Sequence, residues 1–268
     1  MKGITFLLFF ALGITSFIFS QDNKSNVNPN QIIINAKPQP ISVDAASTAV
    51  IVVDMQNDFG SKGGMFDRAG VNISIIQKVI TPIAKVIEAA RKVGIKIIYL
   101  KLGFHEDLSD DGNEEFRRAH HLAVVGDTID APNGSTSRIL IRDTWNTDIV
   151  SELKPQPDDI VIYKTRYSGF YKTDLDSILK QSGKKNLIII GCTTSTCVES
   201  TVRDAMFRNY SSVVLEDCTA EPVGYGLSRS NHEASILLIQ RRLGWVSSSD
   251  EFIRATTLPS NEAIKKQF

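Results

Sequence analysis

Thr48-Ala-Val-Ile-Val-Val-Asp54 decides the fold class. The run is apolar without alternation and ends on a carboxylate. A strand solvated on one face alternates apolar and polar side chains; an unbroken run is the pattern of a strand buried on both faces, as in a parallel sheet. Similar runs recur at Ile95–Leu100, Asp159–Tyr163, Leu187–Ile190 and Val213–Leu215, with helical patterns between them. Thr81 reads as a cap with Pro82 at the first helical position, Ile83, Val86, Ile87 and Ala90 forming the apolar face and Gly94 closing the helix. A second helix is capped at Thr173 and closes near Gly183. A third begins near Thr194, with Val198, Val202, Ala205 and Met206 inward, and a fourth covers Ser228–Leu243. Repeated βα alternation with short turns predicts a mostly parallel α/β sheet covered on both sides. Gly103–Ser137, scattered with Gly, Asp, Asn and Pro, reads as an insertion over that sheet.

The chain has 268 residues, enough for one α/β layer structure with a short appendage. Hydrophobic residues at 42% and charged residues at 22% exclude a wholly disordered chain. Thirty basic side chains balance thirty acidic ones, so there is no electrostatic footprint for nucleic acid. Three cysteines are too few for a disulfide-built scaffold. Met1-Lys2, apolar Ile4–Phe19 and small Ser20 together describe an export signal over residues 1–20. The rival is an uncleaved anchor, but such a helix reaches only ~24 Å at 1.5 Å per residue, short of the ~30 Å hydrocarbon core. Residues 21–42 read as a leader, 43–255 as the folded domain and 256–268 as a tail. The expectation is an exported protein, periplasmic or secreted, with no membrane association after cleavage.

In open α/β sheets, ligands bind at the carboxyl ends of the strands. Three reactive side chains fall there: Asp54, Lys164 and Cys197, the last after the Leu187–Gly191 run in Gly191-Cys192-Thr193-Thr194-Ser195-Thr196-Cys197. Each has a plain alternative: a turn-capping Asp, a solvated Lys, a small buried Cys. Together they supply a base, a cation and a nucleophile. A thiol attacks carbonyls as its thiolate, which a helix N-terminal turn and a nearby ammonium favour, while a carboxylate takes and returns the proton. Backbone N–H groups of the Gly191–Cys197 turn are positioned to hold an oxyanion.

Asp54-x-Gln56-x-Asp58-Phe59, Lys164 and Gly191-x-x-Thr194-x-x-Cys197-Val198 resemble the isochorismatase-like cysteine hydrolases over about Val43 to Ile253. Pro155-Gln156-Pro157-x-Asp159-Ile160-Val161, Arg166-Tyr167-Ser168-Gly169-Phe170, Leu175-Asp176-Ser177-Ile178-Leu179 and Cys197-Val198-Glu199-Ser200-Thr201 look closest to the ureidoacrylate amidohydrolases. The insertion and His120-His121 look more like biuret hydrolases. The resemblance implies a Rossmann-like three-layer α/β/α fold with a mostly parallel six-stranded sheet. It implies hydrolysis of a small linear amide or ureide through a thioester, no obligatory cofactor and a homo-oligomer. It also implies a cis peptide before Thr193 that turns the N–H groups of Thr193 and Cys197 into the oxyanion hole.

Lys101-Leu102-Gly103-Phe104-His105 departs from the metal-binding set of the family's nicotinamidases, which argues against zinc and nicotinamide. Leu102 stands where ureidoacrylate enzymes look polar, leaving Phe104 and Glu106 to keep part of the pocket. Gln56 is a further pocket candidate. Arg166, Tyr167 and Phe170 either line the pocket, with the guanidinium on a substrate carboxylate, or pack and pair structurally. Phe59 either caps the substrate or fills the core. His120 and His121 point apart on a helix and lack a third ligand at familiar spacing, so no metal is expected. Cys192 and Cys218 end strands expected to be neighbours and are candidates for a disulfide in an oxidising compartment. Rival functions are biuret or N-carbamoyl amide hydrolysis, vinyl-ether cleavage of the isochorismatase kind, and a catalytically silent exported binding protein.

Overall fold

The computed structural model describes residues 31–113, 115, 124–224 and 226–257. The proposed export signal, His120, His121 and nearly all of the C-terminal tail lie outside these residues. In chain order the strands are β1 (Gln31–Ile34), β2 (Ile41–Asp44), β3 (Thr48–Val53), β4 (Lys96–Leu102), β5 (Thr128–Asp130), β6 (Thr136–Arg138), β7 (Ile160–Lys164), β8 (Asn186–Cys192), β9 (Ser211–Ala220) and β10 (Trp245–Ser247). The longer helices are α1 (Ser74–Lys92), α2 (Leu175–Gln181), α3 (Glu199–Phe207), α4 (Asn231–Leu238) and α5 (Ser249–Thr257).

Six strands form one sheet in the order β10-β9-β8-β3-β4-β7, every pair parallel. β3 lies at its interior between β8 and β4, and all of its residues are buried. That is the physical reason its sequence has no polar alternation. Two apolar cores fill the faces. One gathers Val50, Val52, Ile97 and Tyr99 with the α1 stripe; the other gathers Ile51, Val53, Ile98 and Leu100 with α2 and α3. The mostly parallel, three-layer expectation holds.

Two expectations need correction. α1 begins at Ser74 and runs through Pro82. Proline inside a helix costs about 3 kcal/mol. Ile76, Val79, Ile80, Ile83, Val86 and Ile87 are all buried on this helix, each contributing about 1.5–3 kcal/mol, so burial overrides the proline. Gly94 does close the helix, with φ +74. Second, the supposed leader is already folded from Gln31. β1 and β2 pair as an antiparallel hairpin, Ile32 and Ile34 enter the core, and Lys37 exchanges backbone hydrogen bonds with Val246 at the edge of the sheet. The Ile32-Ile33-Ile34 run outweighs the polar residues around it.

Smaller differences lie at element ends. β9 extends well beyond Val213–Leu215, through exposed Glu216 and Asp217, because Thr219 and Ala220 still pair with Gly191 and Cys192 across an irregularity. The Ser228–Leu243 helix starts at Asn231, where Ser230 and Glu233 make reciprocal caps, and ends in a wider turn over Ile239–Leu243. The insertion holds the small β5–β6 hairpin. Just beyond it, Asp58 joins separate segments: its carboxylate accepts from Met65 N, Leu140 N and the Asn146 amide. Burial nevertheless raises that carboxyl to about 6.

Candidate active site

The backbone leaves β3 at Asp54 with φ 50, a left-handed conformation that Asp tolerates better than most residues. The Asp54 N–H donates to Leu100 O at 2.9 Å, so the turn stays attached to β4. At the same level Gly191 lies so close to β3 that an added Cβ would stand 2.1 Å from Val53 O. Only glycine allows that approach, which brings the turn after β8 over the end of β3. The Cys192–Thr193 peptide is cis, as the resemblance implied. The chain then enters a wide turn, Thr194–Val198, that leads directly into α3. Val198 N donates to Thr193 O at 3.1 Å, closing the turn that contains Cys197.

The three strand-end residues meet. Lys164 Nζ lies 2.7 Å from Asp54 Oδ2, 3.4 Å from Cys197 Sγ and 3.2 Å from Arg166 O. An ammonium has three protons, and here each has an acceptor. Exposure is 0% for Asp54, 1% for Lys164 and 5% for Cys197. The other carboxylate oxygen, Asp54 Oδ1, is buried with no hydrogen-bond partner among the described residues.

Burial pushes the Asp54 carboxyl up, against the opposing pull of Lys164. Burial also pushes the Cys197 thiol well above its ordinary value; Lys164 pulls it back and Asp54 pushes it further up. For Lys164, burial favours losing the proton, but Asp54 and Cys197 outweigh it and hold the ammonium above its ordinary range. Burial thus opposes ionisation of both Asp54 and Cys197, while Lys164 stays an ammonium in contact with both. A base raised in pKa and a cation touching the sulfur are what proton removal from that thiol requires.

The other sequence candidates divide. Arg166 and Tyr167 remain beside the triad, both half-buried. Burial and the nearby Cys197 sulfur raise the Tyr167 phenol. Arg166 lies with Lys164, His105, Arg142 and Tyr171 along a cleft of about 840 Å³. A larger cleft, about 1310 Å³, runs along α1 and the 145–155 segment and holds none of the three reactive residues.

Gln56 has another task. Its amide donates to Leu102 O and accepts from Leu102 N, both at 2.9 Å, clamping the turn after β3 to the end of β4. Phe59 packs edge-on against Phe66 in the core, and Phe104 is fully buried beside Leu140 and Ile141. Phe170 stacks on Tyr210 with Arg208 over its ring. For these three, packing is what the structure shows: Phe59 and Phe104 belong to one apolar core and Phe170 to the other, with the Arg208 guanidinium over its ring. Glu106 is exposed, and its backbone carbonyl accepts from Arg138 at 3.0 Å. Cys192 and Cys218 are free thiols. The β8–β9 register sets Cys192 opposite Ala220 rather than Cys218, and Cys192 Sγ lies 3.1 Å from Asp54 O. Among the described residues, no group of three or more His, Cys, Asp and Glu stands together as a metal site.

Sequence reasoning missed the residues that hold the surroundings of Cys197. Thr201 donates to Cys197 O at 2.7 Å and accepts from Gly169 N at 3.0 Å, tying α3 to the segment after Lys164. Ser168 donates to Asp204 on the same helix. Glu221 follows β9, and the strand-end logic that found Asp54 applies to it equally.

The model of the isochorismatase domain matches residues 48–251. The chain belongs to the isochorismatase family. Ureidoacrylate amidohydrolase RutB of Caulobacter segnis is 38% identical over 229 residues, covering 84% of this chain and 92% of that protein. RutB of Yersinia enterocolitica is 39% identical over 221 residues, covering 82% and 94%. Among solved structures, a cysteine hydrolase from Pseudomonas syringae pv. phaseolicola superposes with TM-score 0.66 at 30% identity, over 80% of this chain and 94% of that one. N-carbamoylsarcosine amidase from Thermoplasma acidophilum gives 0.57 at 28% identity, over 76% and 97%. This isochorismatase domain thus includes β3, β4, β7 and β8, and with them Asp54, Lys164 and Cys197.

Proposed function

We propose that this isochorismatase-family chain is a cysteine amidohydrolase that cleaves a C–N bond of a small linear ureide or amide, ureidoacrylate being the first candidate. One observation supports it above the others: a single buried ammonium touches both a carboxylate and a thiol at the carboxyl edge of a parallel sheet. The similarity to ureidoacrylate amidohydrolases over most of the chain supports the bond type.

Asp54 takes the Cys197 proton as the sulfur attacks the carbamoyl carbon, and Lys164 stabilises the thiolate. The carbonyl π electrons move to oxygen, where the N–H groups of Thr193 and Cys197 hold the oxyanion. When that tetrahedral species collapses, the C–N bond breaks, and Asp54 returns its proton to the departing nitrogen. Water then gives a proton to the same carboxylate and adds to the thioester, releasing the acid and restoring the thiol. Removing one oxyanion donor costs about 3–4 kcal/mol in enzymes of this kind of chemistry. Arg166 binds a carboxylate on the substrate through its guanidinium. The protein acts outside the cytoplasm, its first 20 residues serving as a cleaved signal, and assembles as a homo-oligomer; the basic start and apolar Ile4–Phe19 support the first point.

A screen of signal-free protein for ammonia release from ureidoacrylate, biuret, N-carbamoyl amino acids and nicotinamide tests this reading. Turnover of a linear ureide is expected; silence on every ureide, with nicotinamide consumed, would refute it. The pH profile carries a second expectation. Asp54 acts only when ionised, and burial raises its pKa, so kcat/KM should fall on the acid side at a pH above the ordinary 3.8. Lys164 acts only when protonated and is held above 10.5, so loss of its proton should produce no fall below that pH.

A further inference from the structure

The turn that carries the nucleophile is gripped from outside the triad. Ser195 stands midway between Thr193 and Cys197, and both its backbone N–H, at 3.0 Å, and its hydroxyl donate to Oε2 of Glu221. The other oxygen of Glu221 accepts from Val223 N at 3.0 Å. Glu221 is 2% exposed, just past the end of β9. The neighbouring Thr194 hydroxyl lies 3.0 Å from Nδ1 of His232 on α4, so a second element holds the same turn. Burying a carboxylate is costly unless donors surround it. Here two of its three donors belong to one residue of the nucleophile turn, and the carboxylate forms no hydrogen bond with Asp54, Lys164 or Cys197.

We infer that Glu221 is a positioning residue: its carboxylate fixes the Thr193–Cys197 turn so that the N–H groups of Thr193 and Cys197 stay aimed at the oxyanion. This rests on the amidohydrolase reading. Oxyanion donors work only when held at the place where charge develops, and a displacement of about 1 Å can cost about 100-fold in rate. The thiol, by contrast, keeps Lys164 and Asp54 whether or not Ser195 is held.

The test compares full-chain wild type, Glu221→Ala, Glu221→Gln and Cys197→Ala with ureidoacrylate as substrate. Asp217→Ala is the control for a general loss of stability, since Asp217 accepts from Ser249 N at 2.7 Å at the start of α5, away from the triad. Glu221→Ala is expected to lower kcat about 30-fold with KM changed less than about threefold, and to leave the rate of Cys197 alkylation by iodoacetamide within about threefold. Asp217→Ala is expected to lower Tm and keep kcat. Glu221→Gln keeps the shape and one acceptor, so an intermediate kcat loss of about fivefold is expected; it decides the matter should the alanine variant not fold. A kcat within twofold of wild type in the folded Glu221 variants, or a loss confined to KM, overturns the inference alone. A wild type without turnover of ureidoacrylate, biuret or any N-carbamoyl amino acid, or a fully active Cys197→Ala, overturns the amidohydrolase reading and this inference with it.

Discussion

Cys197→Ala is expected to lower kcat/KM for a linear ureide by about 10⁴-fold or more while changing the free energy of unfolding by about 1 kcal/mol. The asymmetry follows from the geometry. The sulfur is small and donates nothing to the core that a methyl group does not largely replace, but it is the only atom of the triad able to form the covalent intermediate. Cys197→Ser should lose nearly as much activity. A hydroxyl in the same place keeps a contact with Lys164, yet its proton is far harder to remove than that of a thiol. Steady-state ammonia release and urea unfolding of the two variants check both halves. Turnover within tenfold of wild type in either variant would remove Cys197 from the chemistry.

Lys164→Met and Asp54→Asn are expected to fail in a different way. The pair is buried to within 1% of full enclosure on both sides. Removing one partner leaves an uncompensated charge in the interior, which costs about 3–5 kcal/mol. Each single variant should therefore lose both activity and stability. The double variant Asp54→Asn/Lys164→Met buries no charge and should recover a substantial part of the lost stability, with no recovery of activity. Denaturant midpoints and kcat measured on the four proteins form a double-mutant cycle. Additive stability losses would mean that the two groups are not coupled as their 2.7 Å contact requires.

The sequence exposed this site to the extent that its residues announce themselves locally. Asp54 and Cys197 follow the apolar runs of β3 and β8, which are buried almost throughout, whereas Lys164 ends β7, an edge strand whose Val161 is exposed; a parallel sheet gathers all three ends at one edge. Gln56 belongs to the same motif, but its clamp on the Leu102 backbone, 46 residues away, is one that no local pattern reveals. Phe59, Phe104 and Phe170 were ambiguous for a related reason: an aromatic ring near a site either meets the ligand or supports the wall, and only its neighbours decide. Pro82 misled through a sound local rule that six buried apolar residues override. Glu221 was legible in principle, as another acid at a strand end. What could not be read was that Ser195, 26 residues earlier, would be what it holds.

The most direct measurement is intact-protein and peptide mass spectrometry after rapid acid quenching of the wild type turning over a linear ureide. A mass increase equal to the acyl portion of the substrate is expected, mapping to the peptide that contains Cys197, released by hydroxylamine and absent from Cys197→Ala. Undiminished turnover in Cys197→Ala, with no adduct on the wild type at any quench time, would contradict the thioester chemistry at its root.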